Sequence, residues 1–384
     1  MMTDGGRVYL DHASSSPLRP VAFDAMMPFL RDHHADPGRV HSDGRVTRVA
    51  IETAREQVAA LLGARPREVV FTSGGTEAVN AAIFGSCRRT PDATRIVTTA
   101  VEHSSVTAAC EREPIETVIV GVDAIGRFSA GAVLDAIVPG TALVSVQLAN
   151  HEVGTLQPVA DICSGARERG VLVHVDACAA VGVQPVDFAA IGADLMSVTA
   201  HTWGGPKGTG ALLIRRGLRI PSFVVGGAQE RDRRGGIENI PAIVGFGAAA
   251  AELIDADRLG RELAHTRSLA EALRAELATM TTGITIHGPE DEGDRLPNIV
   301  YFGVDGVEAE PILLALDQRG IAIHSGSACS SESLEPSPVL AAMGADADHA
   351  LRVSVGWSTT EQDIQRLLAE LPGIIERMRG LRTS

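Results

Sequence analysis

A chain of 384 residues with 45% hydrophobic content is long enough to bury a large core and to form two domains. Its net charge of −14 and pI near 5.3 argue against a nucleic-acid partner, because neutralising a phosphate backbone takes a basic face. It has no apolar run of about 18 residues and no charged-then-apolar leader, so a cytoplasmic protein with neither membrane span nor secretory signal is expected.

Five cysteines (Cys87, Cys110, Cys163, Cys178 and Cys329), an odd number with no C-x-x-C pair, suit reduced thiols better than disulfides or a zinc site. The basic residues comprise 33 arginines and a single lysine, Lys207. A Schiff base needs a primary amine on a side chain, and only Lys207 supplies one.

In chain order, residues 8 to 20 (VYLDHASSSPLRP) predict a short strand and a polar turn, and residues 21 to 31 and 48 to 62 carry apolar residues at helical spacing. Glu68 to Thr72 predicts a strand, followed by Ser73-Gly74-Gly75-Thr76-Glu77 and a helical run. Small residues at a helix N-terminus make an anion site, since unpaired amides and the helix dipole both favour negative charge. A lone Gly-Gly-Thr is weak support for such a site.

Strand and helix then alternate through 95–100, 104–112, 117–121, 130–137, 142–148, 160–169 and 171–175. This alternation predicts right-handed crossovers and a mostly parallel sheet, with ligand groups at the carboxyl ends of strands. His103, Asn150-His151-Glu152, Asp176 and His201 fall at such ends. Residues 193 to 210 (ADLMSVTAHTWGGPKGTG) read as a strand, a polar turn and the start of a second strand. From about Arg258 a long helix, strands at 284–287, 298–302, 321–323 and 351–355, a helix at 308–316 and a last helix from Glu361 predict a smaller α+β unit.

Several segments together carry a resemblance: Asp11-His12-Ala13, Thr72-Ser-Gly-Gly-Thr-Glu77, Glu102-His103, His174-Val-Asp-Ala177, Gly205-Pro-Lys-Gly208, Pro241-Ala-Ile-Val-Gly-Phe246, Ser325-Gly-Ser-Ala-Cys-Ser-Ser331 and Arg352-Val-Ser354. With these, nearly the whole chain resembles the cysteine desulfurases (NifS/IscS-like), in the class V aminotransferase group of pyridoxal-phosphate (PLP) proteins. The resemblance implies an α/β chain of PLP fold type I: a mostly parallel seven-stranded sheet in a large domain (16–257) and a smaller α+β domain (1–15 and 258–384). It further implies a homodimer and a sulfur donor or acceptor protein as partner.

By the same resemblance, Gly75 and Thr76 seat the PLP phosphate, His103 stacks on the ring and Asp176 holds the ring nitrogen. A carboxylate there keeps that nitrogen protonated so the ring draws electrons. Arg352 grips a substrate carboxylate, for which its planar fork of donors is suited. Cys329 is the nucleophile that becomes a persulfide; the ordinary alternative is a buried small hydrophobe, against which its Ser/Gly setting speaks.

The family's Ser-x-His-Lys, whose Lys holds PLP, falls on Thr199-Ala200-His201-Thr202. Thr202 therefore stands where the resemblance expects the Schiff-base lysine. His151 replaces an Asn at the ring oxygen, Ala179 a Gln, and Ile237 a Thr that reaches the partner subunit's phosphate. Losing hydrogen bonds to a charged group costs about 1.5–3 kcal/mol each, so a covalent Schiff base is not expected and PLP itself is open.

Three readings follow. One is a sulfur-transfer or regulatory homologue using Cys329 as persulfide carrier. Another is a working PLP enzyme that holds the cofactor without covalent attachment or through Lys207, with His103, His151 or His201 as base. In the third, His103, His151, Asp176, Cys178 and His201 bind a metal or small anion in a repurposed pocket.

Overall fold

The computed structural model describes residues 6–90, 92–280, 283–325 and 337–382. Its strands are β1 (Val8–Tyr9), β2 (Val69–Thr72), β3 (Arg95–Thr99), β4 (Glu116–Val120), β5 (Thr141–Gln147), β6 (Leu172–Asp176) and β7 (Leu195–Thr199). These are followed by β8 (Gly210–Ile214), β9 (Ile284–His287), β10 (Ile299–Val304), β11 (Ile321–Ala322), β12 (His324–Ser325) and β13 (Ala350–Ser354).

Seven of them form one sheet in the order β2-β8-β7-β6-β5-β3-β4. The β3–β4, β3–β5, β5–β6 and β6–β7 pairs are parallel, while β8 runs antiparallel to both neighbours. The central strands are buried along their length because helices cover both faces: every residue of β5, β7 and β8 is buried. This is the sheet that the alternation of strand and helix predicts.

A second, antiparallel sheet has the order β12-β13-β10-β9, and β1 pairs in parallel with β11. The N-terminal residues thus pack with the C-terminal part of the chain, where Val8 and Leu10 share a core with Phe302, Leu351 and Leu367. Asp11 extends this link through a bridge to Ser354.

One boundary differs from expectation. The helix expected over 48–62 spans Ser42–Leu61, capped by His41, whose side chain accepts from the Gly44 amide. Its first turns (SDGRV) lack apolar periodicity. Gly44 is there because the chain passes closely: a Cβ would lie 2.7 Å from the Arg39 carbonyl oxygen. Among the described residues no helix is long and apolar enough to cross a membrane.

Several titratable groups are locked inside. His12 lies between Ser16 (2.9 Å) and Thr359 (3.2 Å), and burial lowers it to about 4. His174 is fully buried and likewise lowered to about 4. Glu102 accepts from Thr99 Oγ1 (2.5 Å) and the Gln147 amide (3.2 Å), and burial raises it to about 8.

These shifts act in opposite senses. From pH 6.5 down to 4 the unfolded chain takes up protons at the two histidines that the folded chain refuses, so stability falls with acid. Glu102 is ionised above about 4.5 when unfolded but keeps its proton to about 8 when folded, so it opposes stability as pH rises. Above 6.5 the unfolded chain sheds its last histidine protons, a gain that offsets part of the loss from Glu102. Urea denaturation across this range is expected to show greatest stability near pH 6.5 and a loss of about 1 kcal/mol by pH 8. Glu102→Gln is expected to abolish the alkaline loss.

Candidate active site

A cavity of about 230 Å³ opens at the carboxyl ends of β5, β6 and β7. Its walls include Gly75, Thr76, His103, His151, Asp176, Thr199, His201, Thr202 and Arg352. The structure therefore gathers nine of the ten residues singled out from sequence around one space. The tenth, Cys329, lies outside the described residues.

Each side chain is delivered by a short local device. Gly75 opens the helix Gly75–Arg89, and a Cβ there would come within 2.6 Å of Cys178 Sγ and force it to shift. The preceding turn is fixed by Glu77, which accepts from the Ser73 amide (2.9 Å) and from Arg234 (3.0 Å). His103 caps the helix Ser104–Glu111, its Nδ1 meeting the Ser105 amide (3.1 Å), and its ring lies edge-on to His151 with centroids 5.3 Å apart.

Asp176 ends β6 opposite Ser197 of β7. Its Oδ1 accepts from Ser197 Oγ (2.8 Å) and the Cys178 amide (3.1 Å). Cys178 also lines the cavity, and burial, followed by the charge of Asp176, pushes its thiol well above the usual range.

Thr199 ends β7, and the turn after it carries His201 and Thr202. Thr199 is 3% exposed, yet its Oγ1 has no hydrogen-bond partner among the described residues, and the same holds for His201 Nδ1. Burial, then the charges of Lys207 and His103, lower His201 and favour its neutral form. Two buried unpaired polar atoms beside the start of the helix at Gly75 suit an anion.

Thr202 donates its hydroxyl to the Cys178 carbonyl (3.1 Å). Lys207 is exposed and is not among the cavity's lining residues. The turn is clamped from behind: Trp203 is buried and its indole donates to the Thr199 carbonyl (2.5 Å), while Arg19 Nε donates to the Trp203 carbonyl (2.9 Å). Gly204, at φ 90°, lets the chain turn against Arg19. Trp203 thus packs the turn rather than filling the cavity.

These groups fit PLP at two of its three usual attachments. Gly75, Thr76, Thr199 and His201 suit a phosphate, and Asp176 with His103 suits a protonated aromatic ring. No primary amine lines the cavity among the described residues.

Arg352, on β13, is 1% exposed. It donates to the His151 carbonyl (2.9 Å), to Asp11 Oδ1 (2.9 Å) and to Ser14 Oγ (2.6 Å), and its Nε has no partner among the described residues. A ligand carboxylate would therefore meet an arginine already engaged by Asp11. Ser14, Ser105 and Gln147 also line the cavity and were not expected there from the sequence. Gln147 was findable, since it ends β5 as Asp176 ends β6. Among the described residues, no group of three or more His, Cys, Asp or Glu is arranged to hold a metal ion.

Comparison with known proteins agrees with this architecture. The Aminotransferase class-V family matches residues 8–367. A cysteine desulfurase of Trichormus azollae is 40% identical over 97% of this chain and 94% of its own length. The cysteine desulfurase IscS of Dictyoglomus turgidum is 38% identical over 97% and 96%. A solved NifS-like protein superposes with a TM-score of 0.88 at 30% identity, covering 96% of this chain and 99% of the other. The chain belongs to the aminotransferase class-V family, in its cysteine desulfurase (NifS/IscS-like) group, and has the fold of that group's PLP-dependent members.

Proposed function

We propose that this chain is a sulfur-transfer homologue of the cysteine desulfurases that has lost the covalent cofactor link, with Cys329 as persulfide carrier. The observation that carries this reading is the turn at Thr202. A hydroxyl tied to the Cys178 carbonyl stands where the resemblance expects the amine, and the chain's single lysine is exposed and outside the cavity.

The step assigned to Cys329 needs no oxidant. Its thiolate attacks the terminal sulfur of a persulfide on a donor protein, a new S–S bond forms on Cys329, and the donor's S–S bond breaks to release a thiolate. The bound sulfur keeps its oxidation state. The four described cysteines are free thiols, in keeping with a reducing, cytoplasmic setting.

PLP, on this reading, is held without a covalent bond. Gly75, Thr76, Thr199 and His201 receive the phosphate, His103 covers the ring, and Asp176 faces the ring nitrogen. The group itself, when bound, supplies an electron-withdrawing ring.

The division into a large domain (16–257) and a smaller one (1–15 and 258–384) belongs to this reading, as does a homodimer. Phe23, Met27 and Leu30 form an exposed stripe on the helix Pro20–Arg31, and Val46 and Val49 are exposed on the helix Ser42–Leu61. Both helices pack on Ile240–Ile254. Apolar surface of this extent suits burial against a second copy.

A second reading, cysteine turnover with non-covalent PLP and one of His103, His151 or His201 as base, is favoured by the unpaired Thr199 Oγ1 and His201 Nδ1. Incubation with cysteine separates the two. The sulfur-carrier reading expects no sulfide and no alanine, with or without added PLP, but expects labelled sulfane sulfur to pass from a donor persulfide to wild type and not to Cys329→Ser. Release of sulfide and alanine in stoichiometric amounts sinks it.

The missing amine also sets the cofactor's affinity. Thr202→Lys is expected to tighten PLP binding by roughly two orders of magnitude or more, measured by fluorescence titration. Equal affinity in the two proteins, or loss of PLP binding on Lys207→Ala, would show that the attachment lies elsewhere.

A further inference from the structure

The floor of the cavity rests on a hydrogen-bonded chain that crosses three strands. Ser145 Oγ lies 2.9 Å from His174 Nδ1, His174 Nε2 lies 3.1 Å from Ser197 Oγ, and Ser197 Oγ lies 2.8 Å from Asp176 Oδ1. Ser145, His174 and Ser197 are each 0% exposed. The strand registers build this row: Ser145 pairs with His174 across β5–β6, and Asp176 with Ser197 across β6–β7.

The direction of the chain follows from counting protons. An ionised Asp176 only accepts, so Ser197 must spend its single hydroxyl proton on Oδ1. The Ser197 oxygen is then left to accept, and the donor facing it is His174 Nε2. Burial keeps His174 neutral with one N–H, so that proton is on Nε2 and Nδ1 accepts from Ser145. Every dipole in the row therefore points the same way, toward Asp176, and the Cys178 amide adds to it from the side.

We propose that His174 and Ser197 are positioning residues for Asp176, keeping its carboxyl group aimed at the cavity and so selecting a ligand with a protonated ring nitrogen. This rests on the reading that the cavity takes PLP. Neither residue lines the cavity. Their effect passes through Asp176, which does.

Hydrogen bonds to a charged group are worth about 1.5–3 kcal/mol, so removing the Ser197 donor is expected to cost roughly 10- to 150-fold in PLP affinity. An anion without a ring nitrogen uses the phosphate groups alone and should be unaffected.

The test has two arms. In the ligand-free protein, nitrogen-15 NMR of His174 is expected to show the Nε2–H tautomer at neutral pH. An Nδ1–H tautomer overturns the chain of donors whatever the cavity binds. In the second arm, Ser197→Ala is titrated with PLP and, separately, with inorganic phosphate. A loss of at least tenfold for PLP, less than twofold for phosphate, a bound-pyridine nitrogen-15 shift moved toward the unprotonated value and recovery in Ser197→Thr support the proposal.

Equal losses for PLP and phosphate mean a damaged fold and overturn a role specific to Asp176. An unchanged PLP affinity overturns it as well. A wild-type protein that takes up no PLP contradicts the cavity reading of the preceding subsection, and with it the ligand named here, while leaving the tautomer result to judge the row of donors by itself.

Discussion

The pairing of β6 with β7 sets Asp176 directly across from Ser197, and the chemistry of the cavity depends on that register. Side chains alternate along a strand, so a slip by one residue would send Asp176, Thr199 and Gln147 to the far face of the sheet. The register is held by continuous burial: Val173, Val175, Met196 and Val198 share the main core on one face. On the other face, His174 and Ser197 satisfy each other in a layer that excludes water. A packed sheet thus presents one carboxylate at a fixed place beside two unpaired donors or acceptors on the neighbouring turn.

That turn is where the chain departs from what its relatives' pattern leads one to expect. Its frame is intact and heavily braced. Arg19 spans the Trp203 carbonyl and the carboxylates of Glu262 (2.6 Å) and Glu252 (3.3 Å), joining the turn to two helices. Breaking one partner of such a buried pair leaves an uncompensated charge, at a cost of about 3–5 kcal/mol. The turn is therefore held in a defined position while carrying a hydroxyl instead of an amine. The sulfur-carrier role proposed above takes its starting point from that contrast between a braced frame and a hydroxyl.

Much of this was legible in the sequence because the governing signals are local. Continuous apolar runs mark β5 to β8, and the rule that ligands gather at the carboxyl ends of parallel strands locates His103, His151, Asp176 and His201 from the sequence alone. What stayed hidden is long-range. The pairing of Asp11 with Arg352 joins residues 341 positions apart, and the clamp of Arg19 on Glu262 spans 243. Neither has a spacing to read. The Ser145–His174–Ser197 row was hidden differently: each residue sits singly inside an apolar strand, where a polar residue looks like an isolated exception until the register aligns three of them. Only the start of the helix Ser42–Leu61 was not legible, because its first turns bury a glycine and a threonine rather than a periodic apolar stripe.

The proposed role requires that no amine of the chain meets the cofactor's aldehyde. The most direct measurement takes the purified protein with added PLP, treats it with borohydride to fix any imine, and maps the peptides by mass spectrometry. No peptide should carry a pyridoxyl group, and the absorbance of PLP should wash away on dialysis. A pyridoxyl adduct fixed on Lys207, in a protein that stays yellow through dialysis, would contradict the account.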